Sequence, residues 1–141
     1  MKHEIPIRIV VTNPLSGVAM QVQKGSGELL PPAEVSDESL IFDLTLNVDL
    51  STGSPNFLGA FAQGPKDARF IYVNSGTLAG QANICWERRA KVSLMSVTRE
   101  QVEQILETPV SRLETSMNGT GSDGGPTCAS VKGIVWKVVK K

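Results

Sequence analysis

The chain has 141 residues, 40% of them apolar and 20% charged, with 14 basic and 14 acidic side chains. This length fits one domain with its own core, the apolar share sets disorder aside, and the balanced charge gives no overall field for nucleic acid or an anionic membrane. Aromatic residues make up 5% and form no stripe interleaved with basic ones, which also argues against nucleic-acid binding.

The first run, "MKHEIPIRIVVTNP", alternates Ile5, Ile7, Ile9 and Val11 with Glu4, Arg8 and Thr12 and reads as a strand. Pro6 lacks an N–H, so this strand is expected at a sheet edge or with an irregular start. Glu4, Pro6 and Arg8 interrupt the run, so it lacks the apolar core of a secretory signal, and no segment is long enough to span a bilayer. The expected location is the cytoplasm, with Cys85 and Cys128 reduced, since their spacing suits neither a disulfide framework nor a zinc site. "NPLSG" is a turn signal, and Val18 to Gln23 after it is expected to complete a hairpin with the first strand.

"KGSGELLPPAEVSDES" is rich in Gly, Pro, Ser and acidic residues and reads as a long irregular loop. The clearest strand follows, Leu40 to Val48, where Leu40, Phe42, Leu44, Leu46 and Val48 alternate with Asp43, Thr45 and Asn47. Further strands are expected at Phe57 to Gln63, Arg69 to Asn74, Trp86 to Met95, Arg112 to Met117 and Gly133 to Lys140. A second irregular segment, "NGTGSDGGPTCAS", precedes the last of them. Its Asn-Gly-Thr matches a glycosylation acceptor that has no secretory context.

The one helical period lies in "VTREQVEQILETP". Thr98 and Gln101 have capping-box spacing, and Val97 and Val102 that of a hydrophobic staple. Val102, Ile105 and Leu106 form one face, and Thr108 before Pro109 ends the helix, which predicts Arg99 to Glu107. About eight short strands and one amphipathic helix predict a single mostly antiparallel β domain over residues 1–141, a barrel or a sandwich, with the helix plugging an end or covering a face.

"RIVVTNP", "NFLGAFAQGP", "RFIYVNSGT", "CWERRAKV" and "DGGPTCASV" together resemble a family of small, functionally uncharacterised bacterial proteins, a domain of unknown function, over nearly the whole chain. The resemblance implies a free-standing bacterial domain and supplies no reaction, ligand or catalytic residue.

Chemistry is bounded mainly by what is missing. His3 is the single histidine, near a terminus where chains fray, so a Ser-His-Asp triad, a Cys-His dyad or a histidine metal site has little to build on. No phosphate loop or dinucleotide fingerprint occurs, and no cofactor is expected. In "CWERRAKVSLM", Trp86, Ala90, Val92 and Leu94 form the apolar parity, and Arg88 falls on it. A guanidinium directed inward needs a partner, either a protein carboxylate or the carboxylate or phosphate of a ligand. Arg69 begins the preceding predicted strand and is expected beside Arg88, where a second cation favours an anion. Gln63, Tyr72 and Asn74 would add neutral hydrogen bonds, and Gly64, Gly76 and Gly80 would let backbone N–H groups approach it. The competing reading makes Gly64-Pro65 and Asn74-Ser75-Gly76 plain turns.

The preferred expectation is therefore a non-enzymatic module binding a small anionic ligand. One alternative is an interaction protein whose edge strand, Val18 to Gln23 or Gly133 to Lys140, builds a homodimer or larger homo-oligomer. Another is an enzyme using Cys85 as a thiolate beside Arg88 and Arg89, or one of the carboxylates Asp43, Asp67 and Glu87.

Overall fold

Alternation carries through to the core. The computed structural model describes residues 2–14, 18–49, 69–77, 86–108, 110–118, 129–130 and 134–140. Strands β1 (Lys2–Thr12) and β5 (Ser39–Asp49) pair antiparallel along their full lengths, from Lys2 opposite Asp49 to Thr12 opposite Ser39. Ile5, Ile7, Ile9 and Val11 on β1 and Leu40, Phe42, Leu44, Leu46 and Val48 on β5 are buried, while Asp43, Thr45 and Asn47 are exposed. Fully burying one such aliphatic side chain contributes about 1.5–3 kcal/mol, so this pair of strands anchors one wall of the core.

The other strands are β2 (Val18–Gln23), β3 (Leu29–Leu30), β4 (Glu34–Val35), β6 (Phe70–Thr77), β7 (Trp86–Ser93), β8 (Ser111–Asn118), β9 (Ala129–Ser130) and β10 (Lys137–Lys140). They form two five-stranded sheets, one in the order β10-β8-β1-β5-β4 and the other β3-β2-β6-β7-β9. One buried cluster draws on both, with Met20, Val22, Ile71, Val73, Ala90 and Val92 from the second sheet. The arrangement is a sandwich and not a closed barrel. Its outer strands β3, β4 and β9 are two residues long and β10 four, too short to carry a ladder around from one sheet to the other.

Two expectations change for a common reason: the chain keeps switching sheets. β1 and β2 do not form a hairpin but lie in opposite sheets. Asn13 leaves β1 in the left-handed region (φ 51°), which Asn tolerates, and its N–H donates to the Glu38 carbonyl at 3.0 Å. β1 is also the central strand of its sheet and not an edge. Pro6 fits because the parallel register with β8 begins only at Ile7, leaving β5 as the strand paired at Pro6. The ladders are antiparallel except β1 with β8 and β7 with β9, which are parallel, because strands joined across the sandwich are under no hairpin constraint.

The segment read as a long loop contains β3 and β4. Lys24 to Glu28 closes β2 onto β3, with Lys24 N–H donating to the Glu28 carbonyl and Gly27 N–H to the Lys24 carbonyl. Gly27 has φ 101°, a conformation other residues adopt only with strain. The predicted strand Phe57 to Gln63 lies outside the described residues.

Helix α1 (Arg99–Glu107) occupies the predicted span. The Thr98 hydroxyl accepts from Gln101 N–H, and the Gln101 side-chain carbonyl accepts from Thr98 N–H. Val97, Val102 and Ile105 are buried, and the helix covers β8, β10 and β1. Leu106, expected on the packed face, sits at its margin and is exposed. No helix among the described residues is long and apolar enough to cross a membrane.

Candidate functional site

The residues singled out from the sequence separate along β6 and β7. Those strands do pair, antiparallel, from Phe70 opposite Ser93 to Gly76 opposite Trp86. Antiparallel neighbours carry their N-terminal ends at opposite ends of the ribbon. Arg69 lies just before β6, where its carbonyl accepts from Leu94 N–H, whereas Arg88 pairs with Ser75. Six residues at the rise of a strand separate those positions by about 20 Å, so the backbone does not set Arg69 beside Arg88. The side chain of Arg88 lies outside the described residues, as do Gln63, Gly64 and Gly80. A register shift falls between Ser75 and Gly76, on the Trp86 side of Arg88, so the backbone at Arg88 keeps the register of buried Ala90 and Val92 while Trp86 is displaced from it.

Asn74, Ser75 and Gly76 are not a turn. They continue β6, with β2 on one side and β7 on the other, so Gly76 sits inside a sheet and not in an open loop. Asn74 is fully buried, and its Nδ2 donates to Gln23 Oε1 at 3.3 Å. Tyr72 stands on the opposite face from buried Ile71 and Val73. Its ring packs edge-on against Phe70 at 5.0 Å, and Lys91 Nζ lies 4.2 Å from the Phe70 centroid. Asn74 and Tyr72 are thus held by neighbours in the sheet.

Arg69 remains chemically conspicuous. Its Nε is buried without a hydrogen-bond acceptor, the one such side-chain atom among the described residues, and the residue as a whole is half-buried. Leaving a buried donor unmet costs about 1–3 kcal/mol, more for a charged group. The cation nearest to it in register is Lys24, one residue past the Gln23–Tyr72 pair and so at the same end of the second sheet. Lys24 shares the parity of Met20 and Val22 and is 7% exposed. Alternation from Met20 to Lys24 was the signal for this buried lysine, and the reading missed it. Lys24 Nζ is met by Glu28 at 3.2 Å, so the unmet donor belongs to Arg69. A groove of about 350 Å³ runs past Lys24 and Glu28 to Glu4, Asp43 and Asn47, walled mostly by acceptors.

The outward face of the first sheet carries the other polar constellation. Asp43, Arg8, Glu114 and Lys137 stand in one cross-strand row over β5, β1, β8 and β10. Arg8 donates to both Asp43 oxygens, Nε at 2.7 Å and a terminal nitrogen at 2.9 Å, and Glu34 stands 3.9 Å away. The hydrogen-bonded Asp43 carboxylate raises the Arg8 pKa above its ordinary value, against the opposing effect of burial. Arg112 donates twice to one Glu114 oxygen, at 3.1 and 2.9 Å. His3 is not frayed: it lies within β1 opposite Val48. Among the described residues, no group of three or more His, Cys, Asp or Glu is placed to hold a metal ion.

No curated protein and no solved structure gives a significant match to the chain. A model of a family of unknown function matches residues 5–139, from the first core isoleucine of β1 through most of β10. The chain therefore belongs to this family, DUF5990.

Proposed function

We propose that this protein is a non-enzymatic bacterial module of the cytoplasm that binds a small anion, with Arg69 as the anchoring cation. The buried, acceptor-free Nε of Arg69 carries the reading. A carboxylate or phosphate oxygen placed there would satisfy a donor that the fold leaves open, and the planar guanidinium suits both groups. Arg88, Gln63 and Gly64 remain candidates for further contacts. The spacing of Cys85 and Cys128 supports a reducing compartment.

Thermal unfolding of wild type, Arg69→Met and Arg88→Met in rising inorganic phosphate and citrate tests this. An anion that binds only the folded protein stabilises it by about 2.7 kcal/mol at 100 times its dissociation constant, so the wild-type midpoint rises with anion concentration. Arg69→Met should stay folded and respond to neither anion. A wild type unresponsive to phosphate, citrate and a wider set of carboxylates would overturn the proposal.

A second reading, homo-oligomerisation through an edge strand, is favoured by the position of β10 at the end of its sheet. The other expected edge, Val18 to Gln23, is β2 and lies between β3 and β6.

A further inference from the structure

The two ends of the first sheet carry opposite charge. At one end, β4 and its turn into β5 hold Glu34, Asp37 and Glu38, all exposed, with no basic residue from Pro31 to Ser39. At the other, β10 holds Lys137 and Lys140, both exposed, with no acidic residue from Ile134 to Lys140. Asp37, Glu38, Lys137 and Lys140 form no ion pair among the described residues. Each end also exposes a valine, Val35 at 73% and Val135 at 62%.

Between these ends runs the row Asp43, Arg8, Glu114, Lys137, which alternates in sign and so ends acidic beside β4 and basic on β10. Opposite charges across neighbouring strands stabilise a sheet, and like charges destabilise it. Pairing β10 with β10, or β4 with β4, sets like charges against one another. Pairing β10 of one molecule with β4 of the next sets Lys137 and Lys140 against the acidic edge of Glu34, Asp37 and Glu38 and places Val135 and Val35 along the same seam.

We infer that the partner of these edges is a second copy of this chain, added head to tail so that β10 of one molecule extends the first sheet of its neighbour at β4. The contact is heterologous, so it propagates into a ring or an open chain of molecules and does not close as a two-fold dimer. The inference rests on the edge-strand reading above and specifies which edges meet. The lysines on β10, which deter indiscriminate strand addition, select an acidic edge in the same step.

Sedimentation velocity provides the test. At about 0.01 M salt, where the screening length is about 30 Å, the wild-type average mass should climb with concentration past that of a dimer. At about 1 M, where it is about 3 Å, the protein should return to monomer. Lys137→Glu/Lys140→Glu makes both edges acidic, and Asp37→Lys/Glu38→Lys makes the β4 edge basic like β10. Each variant alone should be monomeric, and an equimolar mixture should regain the wild-type association. Wild type that stays monomeric at low salt overturns this inference and the edge-strand reading together. Wild type that associates while either variant does so equally, or while the mixture remains monomeric, overturns the charge-matched contact and leaves edge association standing. If a variant fails to fold by circular dichroism, the wild-type salt response decides: association that persists in 1 M salt overturns the inference.

Discussion

Gln101 Nε2 donates to the Trp136 carbonyl at 2.8 Å while the same amide's oxygen accepts from Thr98 N–H at 3.0 Å. One side chain therefore closes the capping box of α1 and ties the helix start to the segment leading into β10. Gln101→Ala removes both bonds and should cost about 1–2 kcal/mol. Gln101→Glu keeps the acceptor and suits the helix N-terminus, but it turns a carboxylate towards the Trp136 carbonyl. We expect it to be about 1 kcal/mol less stable than wild type in urea unfolding with an unchanged denaturant slope. Equal stability would show that the Trp136 link contributes nothing.

Trp136 extends this connection. It is 4% exposed, and its Nε1 donates to the Ser93 carbonyl at 2.9 Å, at the end of β7. Trp136→Phe keeps most of the packing and deletes the donor, so a loss of about 1–2 kcal/mol is expected. Trp136→Ala also opens a cavity and should cost about 3–5 kcal/mol. Similar losses for the two variants, measured by chemical denaturation, would reassign the stabilisation to the hydrogen bond.

The Arg8–Asp43 pair has good two-point geometry, but the Asp43 side chain is 43% exposed, and solvent screens it. A double-mutant cycle with Arg8→Met and Asp43→Asn should give a coupling of no more than about 1 kcal/mol, shrinking in high salt. Because the folded pKa of Arg8 is raised, its contribution is fully present below the ordinary guanidinium value and is lost only as pH rises through the higher folded value. The Arg8 contribution should therefore be flat across neutral pH. A coupling that changed there through Arg8 would contradict this assignment.

Asn74 is fully buried with its amide directed at Gln23 Oε1. Asn74→Ala removes that donor and should cost about 1–3 kcal/mol. Asn74→Asp sets a buried carboxylate against the same oxygen. Burial raises such a carboxyl's folded pKa, so the variant's deficit should be largest at neutral pH and diminish as acid protonates the group. Thermal midpoints compared at neutral and mildly acidic pH supply the check. A deficit independent of pH would mean that the introduced group reaches solvent.

Local pattern was sufficient for the elements whose burial is periodic. The alternation in β1 and β5 named the core residues of one wall, and Thr98, Gln101 and Thr108 set the helix limits, because burial period and capping are properties of adjacent residues. The separation of Arg69 from Arg88 was legible in principle, since antiparallel strands cannot share an N-terminal end, but it required knowing that β6 pairs with β7. Nothing local told Ser75 and Gly76 to continue the strand expected to end at Asn74, because turn-forming residues flanked by strands on both sides are held by the ladder. Which strands share a sheet, that β1 is central, and that Asp43, Arg8, Glu114 and Lys137 fall in one row were decided by tertiary structure alone. Residues brought together from β5, β1, β8 and β10 are matched by the pairing of distant segments, whose long-range register no run of neighbouring residues encodes.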